Sequence, residues 1–194
     1  MNIRKKMTGF TIVELLIVIV VIAVLASVTV VSFNGIQQRA EQDRTEAIVV
    51  AYMKSLEMYY SEHGVYPIPA YPYARICLGM VEDYPAGDGY AAGQCYKDSG
   101  APTVFGSADN AINAQISKYS SILRSNAPLK PATLWWGGGT LTQRGIGFTY
   151  LNEDWYSIVY LIPGNQTCTN RGTQTESNYM ASQNVTGCVV YYWH

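Results

Sequence analysis

One carboxylate in this chain stands where a carboxylate is expensive. Glu14 is followed by the uninterrupted apolar run of residues 15–26, and only Ser27 and Thr29 interrupt it before Val31. As an α-helix, residues 10–31 extend about 33 Å at about 1.5 Å per residue, enough to cross a hydrocarbon core of about 30 Å. An ionisable group inside a spanning helix is costly and marks a function by default. Arg4, Lys5 and Lys6 precede the run and hold that end on the cytoplasmic side. Gly9 then sits at the polar edge of the membrane, directly before Phe10, where a cytoplasmic peptidase could cut and leave the whole apolar helix on the product. A secretory signal peptide fits less well: the run is long for a signal core, and no small-x-small cleavage site follows it in a polar flank. A simple anchor explains the length but gains nothing from Glu14.

The other residues able to do chemistry are few. Four cysteines, Cys77, Cys95, Cys168 and Cys188, form no CxxC pair, and the two histidines, His63 and His194, are far apart. That excludes a zinc site on spacing and leaves no catalytic constellation, so the chain reads as no enzyme, with no catalytic residue, no metal and no cofactor. Four cysteines allow three connectivities. Local pairing, Cys77–Cys95 and Cys168–Cys188, is favoured because each bond closes a short loop, adding about 3 kcal/mol in the chain-entropy account; buried reduced cysteines are the alternative. Glu82, Asp83, Asp88 and Asp98 could offer oxygens to calcium, but their spacing matches no EF-hand loop, and a solvated acidic loop is the better reading.

Lys5-Lys6-Met7-Thr8-Gly9-Phe10-Thr11-Ile12-Val13-Glu14-Leu15 resembles the class III leader of type IV prepilins and type II secretion pseudopilins. The resemblance implies cleavage between Gly9 and Phe10, N-methylation of Phe10, and Glu14 as the residue needed for assembly. It also implies the partners: a prepilin peptidase and methyltransferase, copies of the chain and other pilins in a filament, a pilus or secretion assembly machinery, and the membrane. Many members carry glycine where this chain has Ala23 and proline where it has Val31. Tyr59-Tyr60-Ser61-Glu62-His63-Gly64-Val65-Tyr66-Pro67 is similar to the helix exit of many pilins and pseudopilins, which makes His63 a helix-end residue. The match covers roughly the first third of the chain. The loop closed by Cys168–Cys188 resembles the disulfide-bounded C-terminal region of pilins, and residues 169–187 would then form one constrained surface loop suited to partner contacts.

The elements that must position these residues follow from periodicity. Ala47, Ile48, Ala51, Tyr52, Leu56, Tyr59 and His63 recur at three-to-four-residue spacing, so the helix continues past Val31 as an amphipathic half and runs from about Thr11 to His63, with Gly64 as its C-cap. Residues 65–106 are broken by proline and glycine. Ser107, Ala108 and Asp109 start a second helix that carries Ile112, Ile116, Tyr119 and Leu123. Residues 133–136, 146–151, 155–162 and 188–193 read as strands, with Asn152-Glu153-Asp154 as a hairpin turn. The fold class is α+β and pilin-like: a long N-terminal helix, membrane-spanning in its first half, packed on an antiparallel sheet of about four strands. The division is a leader at residues 1–9, a long helix at 10–63 with its membrane and assembly segment at 10–31, and an exported head at 64–194. Trp135, Trp136, Tyr191, Tyr192 and Trp193 are core or sheet packing, with an exposed binding patch as the other reading.

Composition agrees with export. Only 14% of the 194 residues are charged, 13 basic against 14 acidic, and there are 16 tyrosines. Removing residues 1–9 removes three basic residues and leaves ten against fourteen, a net charge of −4, which gives no reason to expect the head to bind nucleic acid. The chain therefore reads as a structural subunit of a type IV pilus or pseudopilus. It would be held in the bacterial cell membrane by one span, with the head exported, and then polymerise through its apolar helix into an extracellular pilus or a pseudopilus. A membrane-tethered adhesin or binding module that never polymerises is the alternative.

Overall fold

The computed structural model describes residues 11–67, 75–98, 106–120, 130–136, 139–152, 155–169 and 174–193. The leader, Phe10, the hairpin tip at 153–154 and the expected end of the second helix lie outside the described residues, as do the side chains of Trp135 and Trp136. The chain divides into two compact units, Met1–Arg39 and Ala40–His194. Helix α1 (Ile12–His63) contributes to both, and each unit is described separately.

In the first unit the helical residues 12–28 are apolar on every side. Among the described residues no helix is long and apolar enough to cross a membrane. The unbroken run of described side chains ends at Val28, so that stretch is about 26 Å long at about 1.5 Å per residue, short of a hydrocarbon core of about 30 Å; the exposed Phe33 and Ile36 follow beyond it.

In the second unit α1 is amphipathic. Ile48, Val49, Tyr52, Met53 and Leu56 are buried. The stripe expected from the sequence lies slightly off this face: Val49 and Met53 join it, while Ala47 and His63 are exposed. The helix closes where Gly64 enters the left-handed region at φ +70° and donates its N–H to the Tyr60 carbonyl at 2.7 Å, a glycine cap.

The buried stripe lies on the inner face of an antiparallel sheet with strand order β1-β5-β6-β8-β7. Its strands are β1 (Arg75–Cys77), β5 (Gly147–Asn152), β6 (Trp155–Pro163), β7 (Gln174–Met180) and β8 (Val185–Trp193). Alternation sends Phe148, Tyr156, Ile158, Tyr160, Ile162, Cys188 and Val190 inward against α1. Tyr156 and Tyr66 both donate to Glu57 Oε1, at 2.9 and 3.5 Å. Burial, and then the Glu57 carboxylate, push both phenols above the ordinary tyrosine range and keep them protonated as donors.

The outer face is covered by a second antiparallel sheet, β2 (Tyr96–Asp98), β4 (Gly139–Gln143) and β3 (Ala132–Trp136), in the order β2-β4-β3. Ala132 and Leu134 pack on Val159, Leu161, Val185 and Val189. Gln143, fully buried, donates its amide to the Val159 carbonyl at 2.7 Å and so fastens the two sheets together. Helix α2 (Asn110–Ile116) starts at Asp109, whose side chain accepts from the N–H groups of Ala111 and Ile112. Buried Asn113 ties α2 to the end of β1, accepting from Gly79 N–H at 3.0 Å and donating to the Cys77 carbonyl at 3.3 Å.

The fold is thus α+β, a long helix on an antiparallel sheet. The sheet has five strands where about four were expected, and residues 133–136 belong to the second sheet instead of the first. Strand pairs also interrupt the region 65–106, at β1 and β2.

Close approach between the sheets depends on two glycines. A Cβ on Gly147 would lie 1.5 Å from Tyr96 Oη, inside a buried ring that has nowhere to go, whereas one on Gly187 would meet Leu134 Cδ2 at 2.3 Å, the end of a flexible side chain. We expect Gly147→Ala to destabilise the head by about 1–3 kcal/mol or more and Gly187→Ala by less, read from urea unfolding of the full chain in detergent; equal costs would contradict this packing. The tyrosines give a pH expectation. Tyr52, Tyr66, Tyr96 and Tyr156 all have raised folded pKa values, chiefly through burial. Their contribution is complete below the unfolded tyrosine value of about 10 and is lost as pH rises toward the higher folded values. Phenolate absorbance should therefore lag the model-compound titration and rise together with loss of circular dichroism; buried-tyrosine ionisation in a head that stays folded would contradict it.

Candidate functional site

Helix α1 begins at a reciprocal cap. The Thr11 N–H donates to Glu14 Oε2 at 2.9 Å, and the Thr11 hydroxyl donates to the same oxygen at 2.7 Å. In return the Glu14 N–H donates to Thr11 Oγ1 at 3.3 Å. This is a capping box, with two otherwise orphaned donors satisfied by each other's side chains. It also places the carboxylate in the first turn, where the helix presents the positive end of its dipole. The signature, Thr-x-x-Glu ahead of an apolar run, is legible in the sequence but was absorbed there by the leader motif. The finding corrects one step of the sequence argument: a simple anchor does gain something from Glu14, a helix start.

Beyond the cap the surface is uniform. Thirteen large apolar side chains between Ile12 and Val28 are exposed, at 48–85% of their full area. Ser27, the polar residue among them, donates its hydroxyl to the Val24 carbonyl at 2.7 Å, which spares it a partner from outside the helix. Contiguous apolar surface on this scale is the mark of a protein or lipid contact.

The remaining sequence candidates fall elsewhere. Cys77 bonds to Cys95 and Cys168 to Cys188, with Cα–Cα separations of 5.7 Å in each. The first bond lies in the small core with Tyr84, Tyr96 and Leu141, the second in the main core. The segment beside Cys168 is tied back to α1: Thr169 donates its hydroxyl to Glu46 Oε2, and Glu46 Oε1 accepts from Gln42 at 3.1 Å. The acidic loop is dispersed. Asp83 accepts from the Met80 N–H at 2.8 Å, Glu82 accepts from the Asn110 amide at 3.4 Å, and no group of three possible metal ligands occurs among the described residues. His63 stacks on Tyr59 with centroids 4.1 Å apart, at the helix end.

The family model that matches this chain falls on the same N-terminal stretch. Residues 4–30 match the family model described as the prokaryotic N-terminal methylation motif. The chain is 36% identical over 63 residues to the type II secretion system core protein G of Vibrio cholerae serotype O1, covering 32% of this chain and 43% of that protein. The proteins of the same name from Aeromonas hydrophila and Escherichia coli K12 are 33% identical over 64 residues and 36% over 67. They cover 33% and 34% of this chain, and 45% and 46% of their own lengths. The chain thus spans less than half the length of the curated relatives it matches. No solved structure matches. The methylation motif, together with the third of its length that aligns with these proteins, supports a place for the chain in the type IV pilin and type II secretion pseudopilin family.

Proposed function

We propose that this chain is a structural subunit of a pilus or pseudopilus. It is cut between Gly9 and Phe10 by a prepilin peptidase, methylated on the Phe10 amine, held in the cell membrane by its apolar helix and then polymerised through that helix. The observation that carries the reading is the exposed apolar surface of residues 12–28 with a single carboxylate at its start. Such a surface is left in water neither before nor after assembly: lipid covers it first and neighbouring helices later. The division into leader, helix and exported head belongs to the same reading, as does a structural and not a catalytic role.

Glu14 supplies register. Cleavage after Gly9 creates an amine on Phe10 with a reference pKa of about 7.7–8.0, largely protonated at neutral pH. In an apolar bundle a cation and an anion each need the other. The local cap uses Oε2 for both of its contacts, and a carboxylate has about four lone-pair sites, so an amine from a neighbouring subunit can share the same group. That pairing fixes the axial stagger, while the apolar helices supply contact area. The capping box favours a second reading, a tethered head that never polymerises, in which Glu14 only starts the helix.

Intact-mass measurement on protein from cells should find a chain beginning at Phe10 with one added methyl group, and Gly9→Val should leave the precursor uncut. A mature chain beginning after Ala26, or Met1 forms in filaments, would defeat the processing assignment. The two readings of Glu14 separate on charge. Glu14→Gln keeps an acceptor for the Thr11 N–H but removes the anion. As the only subunit present it should be inserted and processed yet give at least about tenfold less filament, which corresponds to about 1.4 kcal/mol per tenfold. Wild-type filament yield with Glu14→Gln would leave the carboxylate as a cap alone.

A further inference from the structure

The outer face of the large sheet carries aromatic rings that the second sheet leaves exposed. Trp155 on β6 and Trp193 on β8 are direct register partners, 37% and 44% exposed. Their rings meet edge to face, with centroids 6.5 Å apart at 74°. Tyr191, two residues earlier on β8, lies 6.5 Å from Trp155. Next to them the edge strand β7 places Gln174 opposite Tyr191, and Glu176 two residues on. Glu176 accepts from the Tyr191 hydroxyl at 3.4 Å and from the Gln174 amide at 3.1 Å. Three strands in fixed register therefore present two open indoles, a phenol, an amide and a carboxylate on one face.

The bland account is a cross-strand aromatic pair closing the sheet's end. Such a pair is worth about 0.2–1 kcal/mol. It explains the contact between the rings but not the polar side chains held in order beside them. The geometry points to a binding platform for a neutral saccharide. An indole face is the negative pole of a quadrupole and attracts the polarised C–H bonds on the flat side of a pyranose ring. A carboxylate and an amide at the rim match the hydroxyls that project from that ring's edge. None of the five side chains is cationic, which disfavours nucleic acid, whose phosphates need neutralising. A purely apolar protein partner would take the Glu176 carboxylate out of water and offer its charge no further donor beyond Tyr191 and Gln174. This platform is independent of cleavage, methylation and Glu14, so it stands or falls apart from the filament reading.

The test is calorimetric titration of the full chain, extracted in a zwitterionic detergent because glycosidic detergents would compete, with cellotetraose, chitotetraose and maltotetraose. We expect at least one to bind and to shift tryptophan fluorescence. Trp155→Ala and Trp193→Ala should each weaken that binding by about tenfold or more, and Trp155→Phe, which keeps a ring, by less. Thermal unfolding of each variant shows that the head remains folded. Three results would overturn the assignment: no binding of any of the three up to about 10 mM, a range that already includes very weak complexes; binding unchanged in both alanine variants; or variants that alter only self-association, which would make the patch a contact between copies of the chain.

Discussion

Apolar surface that water cannot be allowed to keep governs the N-terminal part of this protein. The thirteen large side chains between Ile12 and Val28 are 48–85% exposed. Fully burying one such side chain is worth about 1.5–3 kcal/mol, so covering what remains of them yields on the order of 10–20 kcal/mol in total. One carboxylate cannot oppose a term of that size. Glu14 does not decide whether the helix leaves water; in the proposed filament it would decide where along the helix a neighbour stops. Apolar contact between helices slides easily, and a charge needing an opposite charge does not.

The head solves a different problem, that of holding a half-buried helix on a sheet. Burial on the Ile48–Leu56 stripe supplies the contact, but an apolar stripe alone would tolerate rotation. Polar groups limit that freedom. Glu57 receives Tyr156 and Tyr66, Glu46 receives Thr169 and Gln42, and the Cys168–Cys188 bond fixes the segment carrying Thr169 to β8. Each of these carboxylates is satisfied by neutral donors, the cheaper way to keep charge near a core. The second sheet then closes the opposite face, at a spacing that Gly147 and Gly187 permit.

What the sequence revealed and what it hid divide along burial. Helix α1 was legible to within a residue at both ends, because Gly64 and the apolar period mark it. Strands β5, β6 and β8 were legible because Val, Ile and Tyr alternate along them. Strand β7, Gln-Thr-Glu-Ser-Asn-Tyr-Met, has no apolar alternation, since it is an edge strand exposed on most of its length, and nothing local distinguishes it from a loop. Strands β1 and β2 are three residues each, too short for any period to register. Assigning residues 133–136 to the large sheet failed for a related reason: local pattern tells that a segment is extended, not which sheet it joins. Among the aromatic residues the same pattern could not separate Tyr192, packed against the core, from Trp193, which faces solvent one position later.

In the proposed filament, Glu14 would serve two states at different stages. Before assembly, a carboxylate at the helix start needs donors, and Thr11 provides two from within the same turn. They lessen the desolvation that insertion would otherwise impose on a bare anion, without requiring any partner. Hydrogen bonds from neutral groups leave the net charge in place, however, and a net charge surrounded by packed apolar helices still gains from a cation. If the chain is inserted and processed as proposed, the cap makes the precursor tolerable in lipid while preserving the reason for the mature chain to seek an amine. A glutamine would cap nearly as well and seek nothing, and an aspartate, one methylene shorter, would reach back less easily to the Thr11 N–H. Glutamate is the side chain that both starts this helix and keeps its charge available to a neighbour.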